Sequence, residues 1–293
     1  MPISEPNLPS GTIQPEKRPF QAILFDLGNT LIYFDGEWEA IQGERDAALI
    51  QRLHQAGISP DGKAFLSQFN DQMEAYYAER EFEFIEHTTA YLLRSLLAEW
   101  GYAQVSEEVI RSALADMYAM SQAYWKTEAD AHPTLQALRA QGYQLGLISN
   151  GGDDADIQTL IDQAELRTYF DVILTSAAQG IRKPNPRIFL NALERLSLPP
   201  SQAAMVGDSL GADILGARNA GVFSIWITRR SDTAANLAHE DTIQPDAVVE
   251  SLSELLPLFE SLSTHPKNDD RAHPPSPFPE GRGKKGDGVG RLA

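Results

Sequence analysis

The run Ala22-Ile23-Leu24-Phe25 is apolar at every position and stops abruptly at Asp26, where Leu27-Gly28-Asn29-Thr30 supplies turn-forming residues. Such a run predicts a strand buried on both faces of a parallel sheet, delivering one carboxylate to the turn at its C-terminal end. From Glu37 to Lys126 the period changes. ALIQRLHQAG, AFLSQFNDQMEAYYAE, TAYLLRSLLAEWG and VIRSALADMYAMSQAYW carry apolar residues at three- and four-residue spacing, with Gly57 and Gly101 as C-terminal stops. An all-helical insert of four or five helices is expected there.

Strand and helix patterns alternate from His132 onward. Helices are expected at Pro133 to Leu138, Asp156 to Ala164, Pro186 to Leu196, Leu210 to Ala220 and Ser253 to Leu262. Apolar strands are expected at Gln144 to Ile148, Val172 to Thr175, Ala203 to Val206, Phe223 to Ile227 and Ala247 to Val249. Repeated strand-helix units with short links predict an α/β fold, a doubly wound parallel sheet of Rossmann type with helices on both faces. Because the helical insert follows the first strand, the α/β core is discontinuous, over residues 20–34 and 128–262, with a helical cap at 35–127 set over the strand ends. Residues 1–19 read as a flexible arm. Residues 263–293, dense in Pro, Gly and charge, read as disordered.

Composition narrows the chemistry. The chain has 293 residues, 42% of them hydrophobic, enough for a substantial core. It has no cysteine, which excludes disulfides, thiolate metal sites and cysteine nucleophiles and leaves oxygen or nitrogen to hold any metal. A formal charge of −17 argues against a nucleic-acid partner, whose phosphates need a basic footprint. The N-terminal stretch lacks an apolar core, so neither a signal peptide nor a membrane segment is expected, and a cytoplasmic protein is.

Four segments supply the residue types of a magnesium-dependent phosphate site. Asp26 is a candidate nucleophile and a candidate metal ligand; an ordinary turn aspartate is the competing reading. Asp208 follows the strand Ala203 to Val206 across Gly207, and Asp213 lies five residues further on. Together they can reach one hard cation, for which Mg2+ fits; Asp208 as a plain helix cap is the alternative. Lys183 sits in a short connection before Pro184, with Asn185 as N-cap and Pro186 as first helical residue, and can neutralise phosphoryl oxygens. Ser149 ends a strand, and its hydroxyl with the Asn150 and Gly151 amides can bind an oxyanion, although such turns are common.

Asp26 followed by Thr30, then Ser149, then Lys183 before proline, then Gly207-Asp208-Ser209 with Asp213, in that order around a helical insert, resembles the haloacid dehalogenase-like (HAD) hydrolase superfamily, in its phosphatase branch with a helical cap. The resemblance spans residues 21–262. It implies a hydrolase acting on a small phosphorylated metabolite, with Asp26 as nucleophile, Lys183 as catalytic and phosphate-binding residue, Ser149 and Asn150 at the phosphate, and Asp26, the Gly28 carbonyl, Asp208 and Asp213 around Mg2+. One position departs from the pattern. The phosphatases of the family carry a second aspartate two residues after the nucleophile as general acid and base, and here Gly28 stands there.

Three readings follow from that departure. The first is a magnesium-dependent phosphatase whose leaving group departs without that acid. The second is a haloacid dehalogenase, in which Asp26 attacks carbon and no proton donor is needed. The third is a binding or regulatory protein that keeps the fold. Trp38, Tyr76, Tyr77, Glu86, His87 and Tyr124 are possible substrate contacts in the cap, equally explained by amphipathic packing.

Overall fold

In the computed structural model, residues 18–264 are described, without the side chains of 80–83. The arm and tail expected at the termini lie outside these residues except at their inner ends. There Arg18 stacks over the Tyr143 ring at 5.3 Å and donates to the Gln141 carbonyl at 3.2 Å, and Ser263 and Thr264 complete the last helix.

The first strand, β1 (Ala22–Phe25), is fully buried and lies at the centre of a six-stranded parallel sheet. Its neighbours are β4 (Gln144–Ser149) and β6 (Ala203–Gly207); β5 (Val172–Thr175) lies beyond β4, and β7 (Phe223–Ile227) and β8 (Ala247–Val249) beyond β6. Side chains alternate across the sheet and so feed two cores. Ile23, Phe25, Leu145, Leu147 and Val206 pack on one face with α5 (Ala131–Ala140), α6 (Asp154–Gln163) and α11 (Leu255–Thr264). Ala22, Leu24, Ile148 and Met205 pack on the other with α8 (Pro186–Leu196) and α9 (Leu215–Ala220). This is the doubly wound α/β architecture that the alternation predicts.

Helix ends follow local chemistry. Asn185 caps α8 by accepting from the Arg187 amide at 3.0 Å, with Pro186 in the first turn. Gly57 and Gly101, at φ of +79° and +87°, end two helices of the insert in the left-handed conformation that glycine adopts without penalty.

The insert holds α1 (Trp38–Gln55), α2 (Gly62–Glu83), α3 (Thr89–Glu99) and α4 (Glu107–Gln122), closed round a core of their own that includes Leu49, Leu53, Phe65, Leu93, Leu97, Ile110 and Leu114. It is not wholly helical. Trp125–Thr127 forms β3, paired antiparallel with β2 (Ile32–Phe34), so the two chain crossings between core and insert satisfy one another's main-chain groups as a ribbon. Two one-turn helices, α7 (Ser176–Gln179) and α10 (Ala234–Leu237), are too short to show a period in the sequence. No helix among the described residues is long and apolar enough to cross a membrane.

Candidate active site

The parallel register sets the site. Phe25 pairs with Leu147 and with Val206, so Asp26, just past the end of β1, stands between the ends of β4 and β6. The Asp26 amide donates to the Val206 carbonyl at 2.9 Å. The turn beyond it closes through Leu31 and Ile32 amides on the Leu27 carbonyl, with Asn29 at φ of +57°, and within that turn the buried Thr30 hydroxyl has no protein partner.

Lys183 enters this rim from the β5–α8 connection, where its peptide to Pro184 is cis. The residue is 2% exposed, and its ammonium meets three oxygens: Asp26 Oδ1 at 2.5 Å, Asp213 Oδ1 at 2.7 Å and the Ile148 carbonyl at 2.8 Å. Burial works against its charge, but Asp213 and Asp26 outweigh it and hold the lysine pKa above its ordinary value. The connection is itself pinned by Asn150, whose side chain accepts from the Lys183 amide at 2.9 Å and donates to the Lys183 carbonyl at 3.0 Å. What Asn150 can offer an oxyanion is therefore its main-chain N–H. The Gly151 amide, expected to serve an oxyanion, donates instead to Ser176 Oγ at 2.9 Å.

Asp208 and Asp213 reach the same rim through a turn that differs from the single helix expected over Leu210 to Ala220. Residues Leu210–Ile214 form one π-helical turn, and α9 starts only at Leu215. The wide turn lets Asp213 point back under the strand end, where its Oδ2 accepts from the Ser209 amide at 3.0 Å. A Cβ at Gly207 would lie 2.3 Å from the Asp213 carboxylate, so glycine is required for that approach. The Asp208 carbonyl is held by Trp226 Nε1 at 2.8 Å and Asn236 Nδ2 at 2.9 Å. Neither Trp226 nor Asn236 announces itself in the sequence, because each acts from another loop on a main-chain atom.

One oxygen each of Asp26, Asp208 and Asp213 lie within 4.8 Å of one another. Burial pushes the Asp26 carboxyl up to about 6 and the Asp208 carboxyl up to about 8, with neighbouring carboxylates adding to both. Three buried acids facing one lysine make an all-oxygen donor set short of positive charge, which fits a hard divalent cation. Ser149 is buried at the end of β4, and Gly28 lies in the turn after Asp26. A Cβ at Gly28 would face the Trp125 ring at 3.7 Å.

A second layer ties the insert to this rim. Main-chain bonds from Glu86 to Gly180 (3.1 Å) and from Arg182 to Phe84 (3.1 Å) lay the segment before α3 alongside the residues that lead into Lys183. The buried Glu86 carboxylate accepts from Tyr76 Oη at 2.7 Å and Ser176 Oγ at 2.7 Å, with Arg182 Nε at 3.8 Å. Glu86 and Tyr76 thus belong to this tie. Trp38 and Tyr77 line a cavity between insert and core, His87 stacks on Tyr91, and Tyr124 packs on Phe34.

The profile of the haloacid dehalogenase-like hydrolases matches residues 20–221. A protein of Methanopyrus kandleri named glyceraldehyde 3-phosphate phosphatase is 30% identical over 83% of this chain and 98% of its own length. Among solved structures, a 2-haloacid dehalogenase from Pseudomonas syringae superposes with a TM-score of 0.58 at 27% identity, covering 83% of this chain and 98% of that one. A HAD phosphatase from Thermococcus onnurineus does so with a TM-score of 0.53 at 26% identity, covering 81% and 97%. With strand order, insert and the acid at the end of β1 in agreement, the chain belongs to the haloacid dehalogenase-like hydrolase family.

Proposed function

We propose that the protein is a magnesium-dependent phosphatase of a small phosphorylated metabolite. The observation that carries this reading is the meeting of Asp26, Asp208 and Asp213 within 4.8 Å at the sheet rim. Displacement of halide from carbon by Asp26 has no use for a cation, whereas transfer of a phosphoryl dianion to a carboxylate needs one. The likeness to a relative named as a phosphatase over 98% of that relative's length supports the same choice.

In this reading an Asp26 oxygen attacks phosphorus in line, the bond from phosphorus to the leaving oxygen breaks, the departing oxyanion takes its proton from water, and an aspartyl-phosphate remains. Water then attacks phosphorus, releasing inorganic phosphate and restoring the carboxylate. Asp26, Asp208, Asp213 and the Gly28 carbonyl would hold Mg2+, which would supply positive charge to offset that of the phosphoryl group. Lys183, fixed by three oxygens, orients Asp26 and reduces its repulsion of the incoming dianion. Ser149 and the Asn150 main-chain amide bind phosphoryl oxygens.

The test is hydrolysis of p-nitrophenyl phosphate by protein stripped of metal. Turnover is expected to appear on adding Mg2+, and Asp26→Asn to lower kcat by at least about 10³-fold with circular dichroism unchanged. Mg2+ is also expected to raise the Tm of the wild type and not of Asp208→Asn. Chloride release from chloroacetate without any cation overturns the reading in favour of a dehalogenase, and the lack of both activities in favour of a non-catalytic role.

A further inference from the structure

The turn after Ser149 contains Gly151 and Gly152, so its shape is set by what surrounds it. β4 and β5 pair with Ser149 beside Thr175, which brings Ser176, fully buried at the start of α7, against this turn. The Gly151 amide donates to Ser176 Oγ at 2.9 Å, and Ser176 Oγ in turn donates to Glu86 Oε2 at 2.7 Å. Glu86 belongs to the insert. So does Thr89, whose amide donates to the Gly152 carbonyl at 2.8 Å and whose Oγ1 would stand 2.7 Å from a Cβ at Gly152. The insert thus holds the turn directly through Thr89 and, by way of Ser176, from Glu86.

The same insert segment holds the connection that carries Lys183. The Glu86 amide donates to the Gly180 carbonyl and the Arg182 amide to the Phe84 carbonyl, each at 3.1 Å, and the Asn150 side chain joins the Lys183 main chain to the turn. A carboxylate at this junction has a specific effect on the serine. With the hydroxyl proton committed to Glu86, an Oγ lone pair is kept for the Gly151 amide; the Gly151 carbonyl, a competing acceptor, lies farther off at 3.3 Å. Glu86 is 5% exposed, and Tyr76 Oη at 2.7 Å and Arg182 Nε at 3.8 Å complete its surroundings. It is therefore placed to act on a bound anion through the turn and not by contact.

We propose that Glu86 is a positioning residue for the phosphoryl group: through Ser176 it fixes the turn after Ser149, so that the anion site has its full affinity only with residues 84–89 of the insert seated on the core. The proposal rests on the reading above that Ser149 and the Asn150 amide bind phosphoryl oxygens. Linkage makes the coupling mutual, since an anion that favours the ordered turn also strengthens the seating of the insert.

The test is calorimetric binding of inorganic phosphate to the full chain in the presence of Mg2+. Ser176→Ala is expected to weaken binding by about tenfold and Glu86→Gln, which keeps an acceptor oxygen, by about threefold, each variant checked for folding by circular dichroism. Mg2+ affinity should stay within about twofold of the wild type, because no hydrogen bond joins either residue to Asp26, Asp208 or Asp213. In the double variant, Glu86→Gln is expected to add nothing to the loss caused by Ser176→Ala, because it acts through that serine. Phosphate is also expected to slow hydrogen exchange at the Glu86 and Thr89 amides in the wild type and not in Ser176→Ala. A wild type that binds no phosphate, an affinity unmoved by Ser176→Ala, a loss matched by an equal loss of Mg2+ affinity, or losses that multiply in the double variant overturns the proposal. Turnover of p-nitrophenyl phosphate keeps the two readings apart. Phosphate binding with the expected variant effects but no hydrolysis sustains the positioning role while the phosphatase reading falls, and hydrolysis with KM unmoved by Ser176→Ala sustains the phosphatase and removes the positioning role.

Discussion

Gly28 occupies the position at which the family's phosphatases keep their proton donor, and the space in front of it is bounded by the Trp125 ring rather than by an acid. General acid catalysis typically contributes about 10²- to 10⁴-fold. Turnover is therefore expected to rise steeply with leaving-group acidity, aryl and acyl phosphates exceeding alkyl phosphates; a flat dependence across the series counts against this. A Cβ at Gly28 meets Trp125 at ordinary van der Waals distance, so the first carbon of a side chain fits there and Gly28→Asp is the variant to make. That variant should raise hydrolysis of alkyl phosphates by at least about tenfold and flatten the dependence. Asp26, Lys183, Asp208 and Asp213 were legible because each terminates an apolar run or sits in a short turn. The tie that Glu86 makes to the core was not, because its partners are brought from the distant β5–α8 region.

Between elements, the most informative contact is the one that joins Phe84 to Glu86 with Gly180 to Arg182. Ser176 connects it to the turn after Ser149, donating to Glu86 and accepting from the Gly151 amide. Glu86→Ala removes the carboxylate facing buried Arg182 and leaves the Tyr76 and Ser176 hydroxyls only their longer bonds to the Ile85 and Gly151 carbonyls, both at 3.3 Å, and should lower unfolding free energy by about 3–5 kcal/mol, with Glu86→Gln losing distinctly less. Urea titration measures both, and an alanine variant as stable as the wild type would show the tie to be idle. Helix and strand placement in the core was readable because periods of two and 3.6 are local properties. The π turn at Leu210–Ile214 was not, since it is imposed by where Asp213 must reach. Nor was the β2–β3 ribbon, whose two halves are short and far apart in the chain.

For the molecule as a whole, stability carries the imprint of buried acids. Burial pushes the Asp156 carboxyl up to about 6, Gln122 and Arg45 offsetting part of it. The folded protein then holds a proton that the unfolded chain releases near pH 4. Folding free energy is lost as pH rises from about 4 to about 6, by at most about 3 kcal/mol from this group. Asp156→Asn retains the acceptor for Gln122 and should be more stable than the wild type at pH 7 but not at pH 4. Thermal melts at the two pH values check the sign, and equal gains at both would remove Asp156 as the cause.

The central position of β1 has a consequence for how the molecule comes into being. Ala22 is made early yet pairs with Gln144 on one side and Ala203 on the other, and the whole insert is synthesised between them. On the ribosome the insert, with a core of its own, can close first, whereas β1 must wait unpaired until both neighbours have emerged. The rim where Asp26, Lys183, Asp208 and Asp213 meet is thus among the last parts to be assembled, and a nascent chain stopped short of Gly207 carries its aspartate on a strand that lacks a flank.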